Sequence, residues 1–359
     1  MKPKLVDLFC GIGIGSIGFM NAGFEVVGAV DIDPAACAVY KENLGFEPVV
    51  GDLRRIHGAD ILERAGLRRG ELDLCSGCPP CQAFSTLRQT RLVQGRRRRK
   101  KRDGRKSLLR VFGQRIEEML PKAFVLENVR GLTLNNNKRF LYEFRAHMER
   151  VGYSCVHDVL DAADYGVPQH RWRFMMIGSR VRPPTLPERT HSAHSPHDGR
   201  LPWRTVREAI GELPSLNSGE GIDEDPLHQA AAHSEPVLEI IRHIPHDGGS
   251  RRSLPRNLWL PCHKRLERLH QRGAESIYGR MRWNTPSPTI TTRFHTPSCG
   301  RFVHPSQDRG ITAREAARLQ SIPDSFRITG SKDQTAMWIG NAFPLLLAEQ
   351  VAEHALSSI

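Results

Sequence analysis

The sequence predicts an α/β protein, a sheet with helices on both faces joined to a smaller, irregular domain. Three observations carry this. Short apolar runs alternate with helix-periodic stretches through the first half of the chain. Between about 181 and 300 the composition shifts to Pro, Gly, His and Arg, and periodicity fades. Helical patterning then returns near 312. The expected division is 1–185 together with 331–359 as one domain, and 186–330 as the other.

The elements follow in order. Leu5 to Phe9 reads as a buried strand, followed by a glycine-rich turn and a helix to about Ala22. Val26 to Val30 is a second strand. Asp33-Pro34 opens the next helix, with Asp as N-cap and Pro at the first helical position. Leu72 to Cys75 and Ala123 to Leu126 are further strands. The stretch from Ser107 to Leu120 is helix-periodic and stops at Pro121. Arg139 to Val151 is a helix and Phe174 to Ile177 a late strand. Thr312-Ala313-Arg314-Glu315 is a capping box, and Leu345 to Leu356 a final amphipathic helix.

At 359 residues, with 39% hydrophobic and 25% charged, the chain can build a packed core, and wholesale disorder is excluded. No run approaches the roughly 18 apolar residues of a membrane span. The start, Met1-Lys2-Pro3-Lys4-Leu5, lacks the apolar stretch of a signal peptide. A soluble, intracellular chain without a disulfide framework is expected. The outlying feature is charge: 52 Lys+Arg against 39 Asp+Glu give +13, which favours a polyanionic partner, nucleic acid first. Seven consecutive basic residues, Arg96 to Arg102, hold more than half of that surplus; without them it is +6.

Several segments carry chemistry. Gly13-x-Gly15-x-x-Gly18 follows a strand and opens a helix, and Asp31 ends the next strand. Glycine lets backbone approach a ligand, and a carboxylate there can accept ribose hydroxyls. The arrangement suits NAD, FAD or S-adenosylmethionine and does not choose among them. Gly51-Asp52 could bring another carboxylate to the adenine. Cys75, Cys78 and Cys81 allow a metal site, a redox Cys78/Cys81 pair, or one nucleophile with two structural neighbours. No fourth ligand lies nearby, and Cys262-His263 is far along the chain. Pro79 and Pro80 stiffen the approach to Cys81 at the expected carboxyl end of a strand, where open sheets bind ligands. Glu127 follows another strand to the same edge. Gln169, Arg171 and Arg173 alternate, so in extended chain they share a face.

Taken together these segments resemble the bacterial-type DNA (cytosine-5)-methyltransferases. The matching segments are Asp7-Leu8-Phe9-Cys10-Gly11-Ile12-Gly13, Asp31 with Asp33, Gly51-Asp52, Pro80-Cys81-Gln82 and Glu127-Asn128-Val129. Gln169-x-Arg171-x-Arg173, Arg314 to Gln320 and Gly340-Asn341-Ala342 follow in the family's order. Two departures are small: Phe343 stands where valine is commoner, and Asp31 where Glu is frequent.

The resemblance implies a Rossmann-like S-adenosylmethionine-dependent sheet with a target-recognition domain, and no metal. It implies Cys81 as nucleophile on cytosine C6, Glu127 at N3, Arg173 at the O2 side and Arg171 as support. Phe9, Gly11, Gly13, Asp31, Ile32, Asp52, Leu53, Pro80, Asn341 and Phe343 are the implied cofactor residues. Gln82, Ser85, Gln169 and Arg96, Arg97, Arg98 and Arg99 are the implied substrate and DNA residues. Double-stranded DNA is the implied partner of a monomeric, cytoplasmic, nucleoid-associated enzyme. A companion restriction endonuclease acting on the same site is a further expectation. In the recognition region, His246 to Gly249 reads as a turn near DNA. Arg251, Arg252, Arg256 and Lys264 read as phosphate contacts or solvated surface.

Three rival readings remain: an RNA cytosine methylase, a catalytically silent DNA-binding regulator, and a nicotinamide dehydrogenase, which would leave the late motifs unexplained. In the preferred reading the Arg96–Arg102 run grips phosphates. Replacing it with Gly/Ser should weaken DNA binding and flatten its dependence on salt, leaving the methylated sequence unchanged. An unaltered slope in salt-titrated binding would reduce the run to a solvated insertion.

Overall fold

The computed structural model describes residues 1–80, 107–134, 137–261, 264 and 276–359. The chain divides into two compact units. One comprises Met1–Tyr165, Trp172–Thr190 and Ala342–Ile359; the other comprises Gly166–Arg171 and His191–Asn341. The boundaries expected at 185/186 and 330/331 thus fall at 190/191 and 341/342, and a short piece around Gln169 belongs to the second unit.

The first unit is built on a seven-stranded sheet. Its strands are β1 (Lys4–Leu8), β2 (Glu25–Asp31), β3 (Val49–Val50), β4 (Leu74–Gly77), β5 (Ala123–Val129), β6 (Ser154–Asp161) and β7 (Trp172–Ser179). They lie in the order β3-β2-β1-β4-β5-β7-β6. β1 to β5 are parallel, whereas β7 runs antiparallel to both β5 and β6. The order reverses between β1 and β4, so a crevice opens at the carboxyl ends of those strands. α1 (Ile14–Asn21), α2 (Pro34–Leu44), α3 (Gly58–Arg64), α4 (Ser107–Met119) and α5 (Lys138–Val151) connect the strands.

β1 shows that both faces are covered. Val6 and Leu8 join the main core with Phe112 and Ile116 of α4. Asp7, between them, points the opposite way and bonds Ser16 of α1. A strand buried on both sides reads as a continuous apolar run, which is why Leu5 to Phe9 was legible. The core itself is aromatic: Phe124 meets Phe144 edge-on at 5.9 Å and Tyr153 at 5.1 Å. Asp33 caps α2 as expected, accepting the Ala35 N–H at 3.0 Å.

The second unit is mostly irregular, with two short two-stranded ribbons. Its helices are Val206–Ile210, Glu235–Arg242, Ala313–Leu319 and Lys332–Asn341 among the described residues. The Thr312/Glu315 capping box forms as the sequence predicts. Glu315 also pairs with Arg309 at 2.7 Å, and both are buried.

α1 lies against the C-terminal helix, Leu345–Ser357. A Cβ on Gly18 would stand 2.7 Å from Ala348 Cβ and 2.8 Å from the Glu349 backbone nitrogen. Overpacking against backbone costs about 1–3 kcal/mol, more than the ~1 kcal/mol that alanine gains in helix propensity. Gly18→Ala should therefore destabilise the protein, by roughly 1 kcal/mol net. Urea unfolding checks this, and a stabilised variant would show that the two helices separate freely.

Candidate active site

The loop after β1 is shaped by its backbone. Phe9, Gly11 and Gly13 all have positive φ, at 61°, 53° and 93°. Only glycine adopts this readily, and a Cβ on Gly13 would stand 2.8 Å from the Tyr40 ring. The turn closes with the Gly13 N–H on the Cys10 carbonyl at 3.0 Å.

Asp31, at the end of β2, ties this loop to the start of α2. Its carboxylate accepts the Gly11 N–H and the Asp33 N–H, each at 2.9 Å. Burial pushes its pKa above the usual carboxylate range, and the backbone N–H donors pull it back. Beside it Ile32 is 64% exposed, and a Cβ on Gly11 would meet nothing within 4 Å. An open space bounded by an exposed apolar side chain and a carboxylate fits a nucleoside, with its base on the apolar side and its hydroxyls on the acid.

Beneath the loop lies a buried chain that the motif reading missed. Tyr40 OH donates to Ser16 Oγ at 2.9 Å, and Ser16 donates to Asp7 at 2.6 Å. Burial drives the Asp7 carboxyl up to about 7, against the hydrogen bonds from Ser16 and Ser76. The visible signal was an Asp at the centre of an otherwise apolar strand.

Other expected cofactor residues are placed as follows. The Asp52 carboxylate is engaged by the Arg54 guanidinium, at 3.0 and 2.9 Å from Nε, which holds its pKa below the usual range. Leu53 is buried in the main core. Phe343 is buried and packs on Gly15 of α1. Asn341 is the last residue of the second unit's helix Lys332–Asn341. Pro80 is half-buried, and the preceding Pro79 carbonyl accepts the buried Asn128 side chain at 3.0 Å. Cys81, Gln82, Ser85, Arg96, Arg97, Arg98 and Arg99 lie outside the described residues, as do Cys262 and His263.

Glu127 and Arg173 come together. Glu127 on β5 stands opposite Met175 of β7, and Arg173 stands opposite Val129, so the two side chains share a face on a diagonal. Arg173 Nε lies 2.7 Å from Glu127 Oε1, with both side chains 11% exposed. The Cys78 thiol sits against Glu127. Desolvation and the adjacent carboxylate drive the thiol's pKa well up, and Arg173 opposes the shift. Cys75 is fully buried, and its thiol is pushed up likewise. Burial thus favours the thiol form of both Cys75 and Cys78. The CxxC spacing at a strand end was the signal for Cys78, but the pairing with Glu127 was not visible.

Gln169 and Arg171 both turn to the Ile290 segment of the second unit, whereas Arg173 belongs to the first unit and pairs with Glu127. Gln169 is fully buried: its carboxamide accepts the Ile290 N–H at 2.9 Å and donates to the Leu319 carbonyl at 3.1 Å. It is spent on the second unit's own backbone rather than presented to solvent. Arg171 donates to the carbonyls of Ile290, at 2.9 Å, and Gly340, at 2.8 Å. It therefore supports segments of the second unit.

This strand order, with a glycine loop at the reversal point and an acid ending the second strand, is a Rossmann-like fold shared with solved methyltransferases. Residues 3–357 match the profile of the C-5 cytosine-specific DNA methylases, and the chain belongs to that family. It is a DNA methyltransferase acting at cytosine C5. It is 33% identical to the Type II methylase M.HgiDII of Herpetosiphon aurantiacus, covering 98% of this chain and 95% of that one. It is also 33% identical to the Type II methyltransferase M1.HphI of Haemophilus parahaemolyticus, over 99% and 87%. Among solved structures, one described as a DNA modification methyltransferase encoded within an E. coli prophage superposes with TM-score 0.71. The sequence identity is 22%, and 99% of each chain is covered.

Asp7 yields a pH prediction. Its carboxyl ionises near 3.8 when exposed but near 7 in the fold. The stability it contributes is full below the lower value and is lost as pH rises towards the upper one. Asp7→Asn, neutral throughout, should remove that slope. Urea unfolding between about pH 4.5 and 7.5 should show the wild type losing a few kcal/mol relative to the variant. Parallel curves would mean that Asp7 is ionised in the folded protein.

Proposed function

We propose that the protein methylates C5 of a specific cytosine in double-stranded DNA, through a transient bond between Cys81 and C6 of a flipped-out base. The observation that carries this is the Glu127–Arg173 pair at the sheet edge, beside the Cys78-Pro79-Pro80 approach to position 81. C5 of cytosine is a poor nucleophile. Addition of a thiolate to C6 makes it enamine-like, and a proton held at N3 stabilises the adduct. Glu127 is the group to hold that proton, and Arg173, which touches it, is set to hold the O2 side. Once C5 carries the methyl group, loss of its remaining proton to a base allows β-elimination and frees Cys81 as the thiolate. Because C6 is hidden in a base stack, the target must leave the duplex.

S-adenosylmethionine supplies an electrophilic methyl group when bound. Asp31, Ile32, Phe9, Gly11 and Gly13 would hold it, and the exposed apolar side chain beside an acceptor carboxylate fits that molecule. Asp52, Leu53, Pro80, Asn341 and Phe343 belong to the same proposed set, with Leu53 and Phe343 acting through packing. Ser85, Gln82 and the arginines from Arg96 to Arg99 are assigned to DNA. The similar Type II enzymes support a role in restriction–modification, with a companion endonuclease sharing the site, or as an orphan methylase. We take the working form to be a monomer in the cytoplasm.

Cys81→Ser should abolish methyl transfer while cofactor binding, measured by calorimetry, survives. Duplex DNA carrying 5-fluorocytosine should give a denaturation-stable complex with the wild type and none with the variant. Methyl transfer by Cys81→Ser would eliminate the covalent route.

A further inference from the structure

In the second unit the chain reverses at Pro245–Gly249, where Pro245, His246 and Asp247 are exposed. Asp247 has φ 53° and Gly248 φ 107°. A left-handed non-glycine backbone is disfavoured, and it persists where its surroundings over-determine it. They do so here. The Asp247 N–H donates to the Pro305 carbonyl at 2.9 Å, and its carboxylate accepts the Trp283 N–H at 2.6 Å. Arg301 donates to the carbonyls of Gly248 and Gly249 at 3.0 and 3.2 Å.

Below the turn, the fully buried Arg280 donates to the carbonyls of Ile241, Ile244, His304 and Gln307 and pairs with Asp308. The stem of Arg282 packs on Gly248, where a Cβ would come within 2.5 Å of it. Arg282 is exposed, and no carboxylate pairs with it among the described residues.

Arg301 thus locks the turn and Arg280 braces the segments below it. On the turn's exposed side stand Asp247, with Oδ1 taken by the Trp283 N–H, His246, 4.0 Å from Asp308, and Arg282. A turn serving only to reverse the chain needs no such bracing. A surface that reads base edges does, because donors and acceptors must be held in fixed geometry. We infer that the His246–Gly249 turn, with Arg282, enters a DNA groove and reads a base edge of the methylated sequence. Asp247 suits an amino donor such as that of cytosine, and Arg282 suits the acceptors of guanine. The inference rests on the DNA-methylation reading and deepens it.

The test uses full-length wild type, His246→Ala, Asp247→Asn and Arg282→Gln on duplexes randomised around cytosine. Methylated words are read by bisulfite sequencing, with thermal unfolding of each variant alongside. Asp247→Asn keeps a residue tolerant of positive φ, and the other two substitutions alter exposed residues, with Gln retaining part of the Arg282 stem that packs on Gly248. At least one variant should lose discrimination at one base position by roughly tenfold or more, with unfolding unchanged. An identical word and selectivity in all three would overturn the inference. So would a uniform loss of rate across all words, which marks a phosphate contact. A wild type that methylates no cytosine in DNA would instead defeat the underlying function. Should Asp247→Asn unfold, the two surface variants decide.

Discussion

Glu127 and Arg173 meet because one strand of an otherwise parallel sheet runs backwards. β7 is antiparallel to β5, so the end of β5 lies beside the start of β7. The acid near the end of one strand and the base near the start of the other then share a face. Were β7 parallel, its start would lie at the opposite edge of the sheet and the pair could not form. The ion pair is also nearly sheltered from solvent. In such a site charge is expensive unless partnered, so each side chain fixes the other. The same carboxylate reaches Cys78, which links the end of β4 to the end of β5. Three elements from distant parts of the sequence converge on this one contact.

The loop after β1, where the cofactor is proposed to bind, rests on a different device. Asp31 gathers the N–H groups of Gly11 and Asp33, so a single carboxylate sets the spacing between the β1 loop and the start of α2. The buried Tyr40–Ser16–Asp7 chain fixes α1 and α2 from below. The loop is therefore pinned on both sides, with its apolar neighbour Ile32 left exposed. A ligand entering such a site orders little of the protein, which favours binding.

Much of this was legible in the sequence. β1 and β5 are buried on most of their length, and β2 at Gly28 to Val30, so they read as apolar runs, and Asp33-Pro34 announces its helix by capping chemistry alone. What was not legible has physical reasons. β6 is half-exposed at the sheet edge and alternates too weakly to stand out. The direction of β7 is set by tertiary packing and leaves no mark on periodicity. That Gln169 and Arg171 would meet the Ile290 backbone was not legible, because that segment lies far along the chain. Thr205/Glu208 forms a further capping box that was readable from its spacing but lay in a region too rich in Pro and Gly to attract notice.

The surplus of +13 changes meaning once the arginines are located. Arg171, Arg280 and Arg309 are at most 1% exposed. Arg171 and Arg280 direct most of their described bonds to backbone carbonyls; Arg309 also bonds the carboxylate of Glu315. An irregular unit has few ladders to satisfy its carbonyls, and a planar guanidinium with five donors can gather several at once. Lysine, a point charge with three donors, could not replace them. Part of the positive count is thus structural and never meets a polyanion. What remains for DNA is only the share of the cations that the fold does not spend on its own carbonyls and carboxylates. Net charge identified the class of partner, but the footprint is drawn only by those cations that the fold leaves outside.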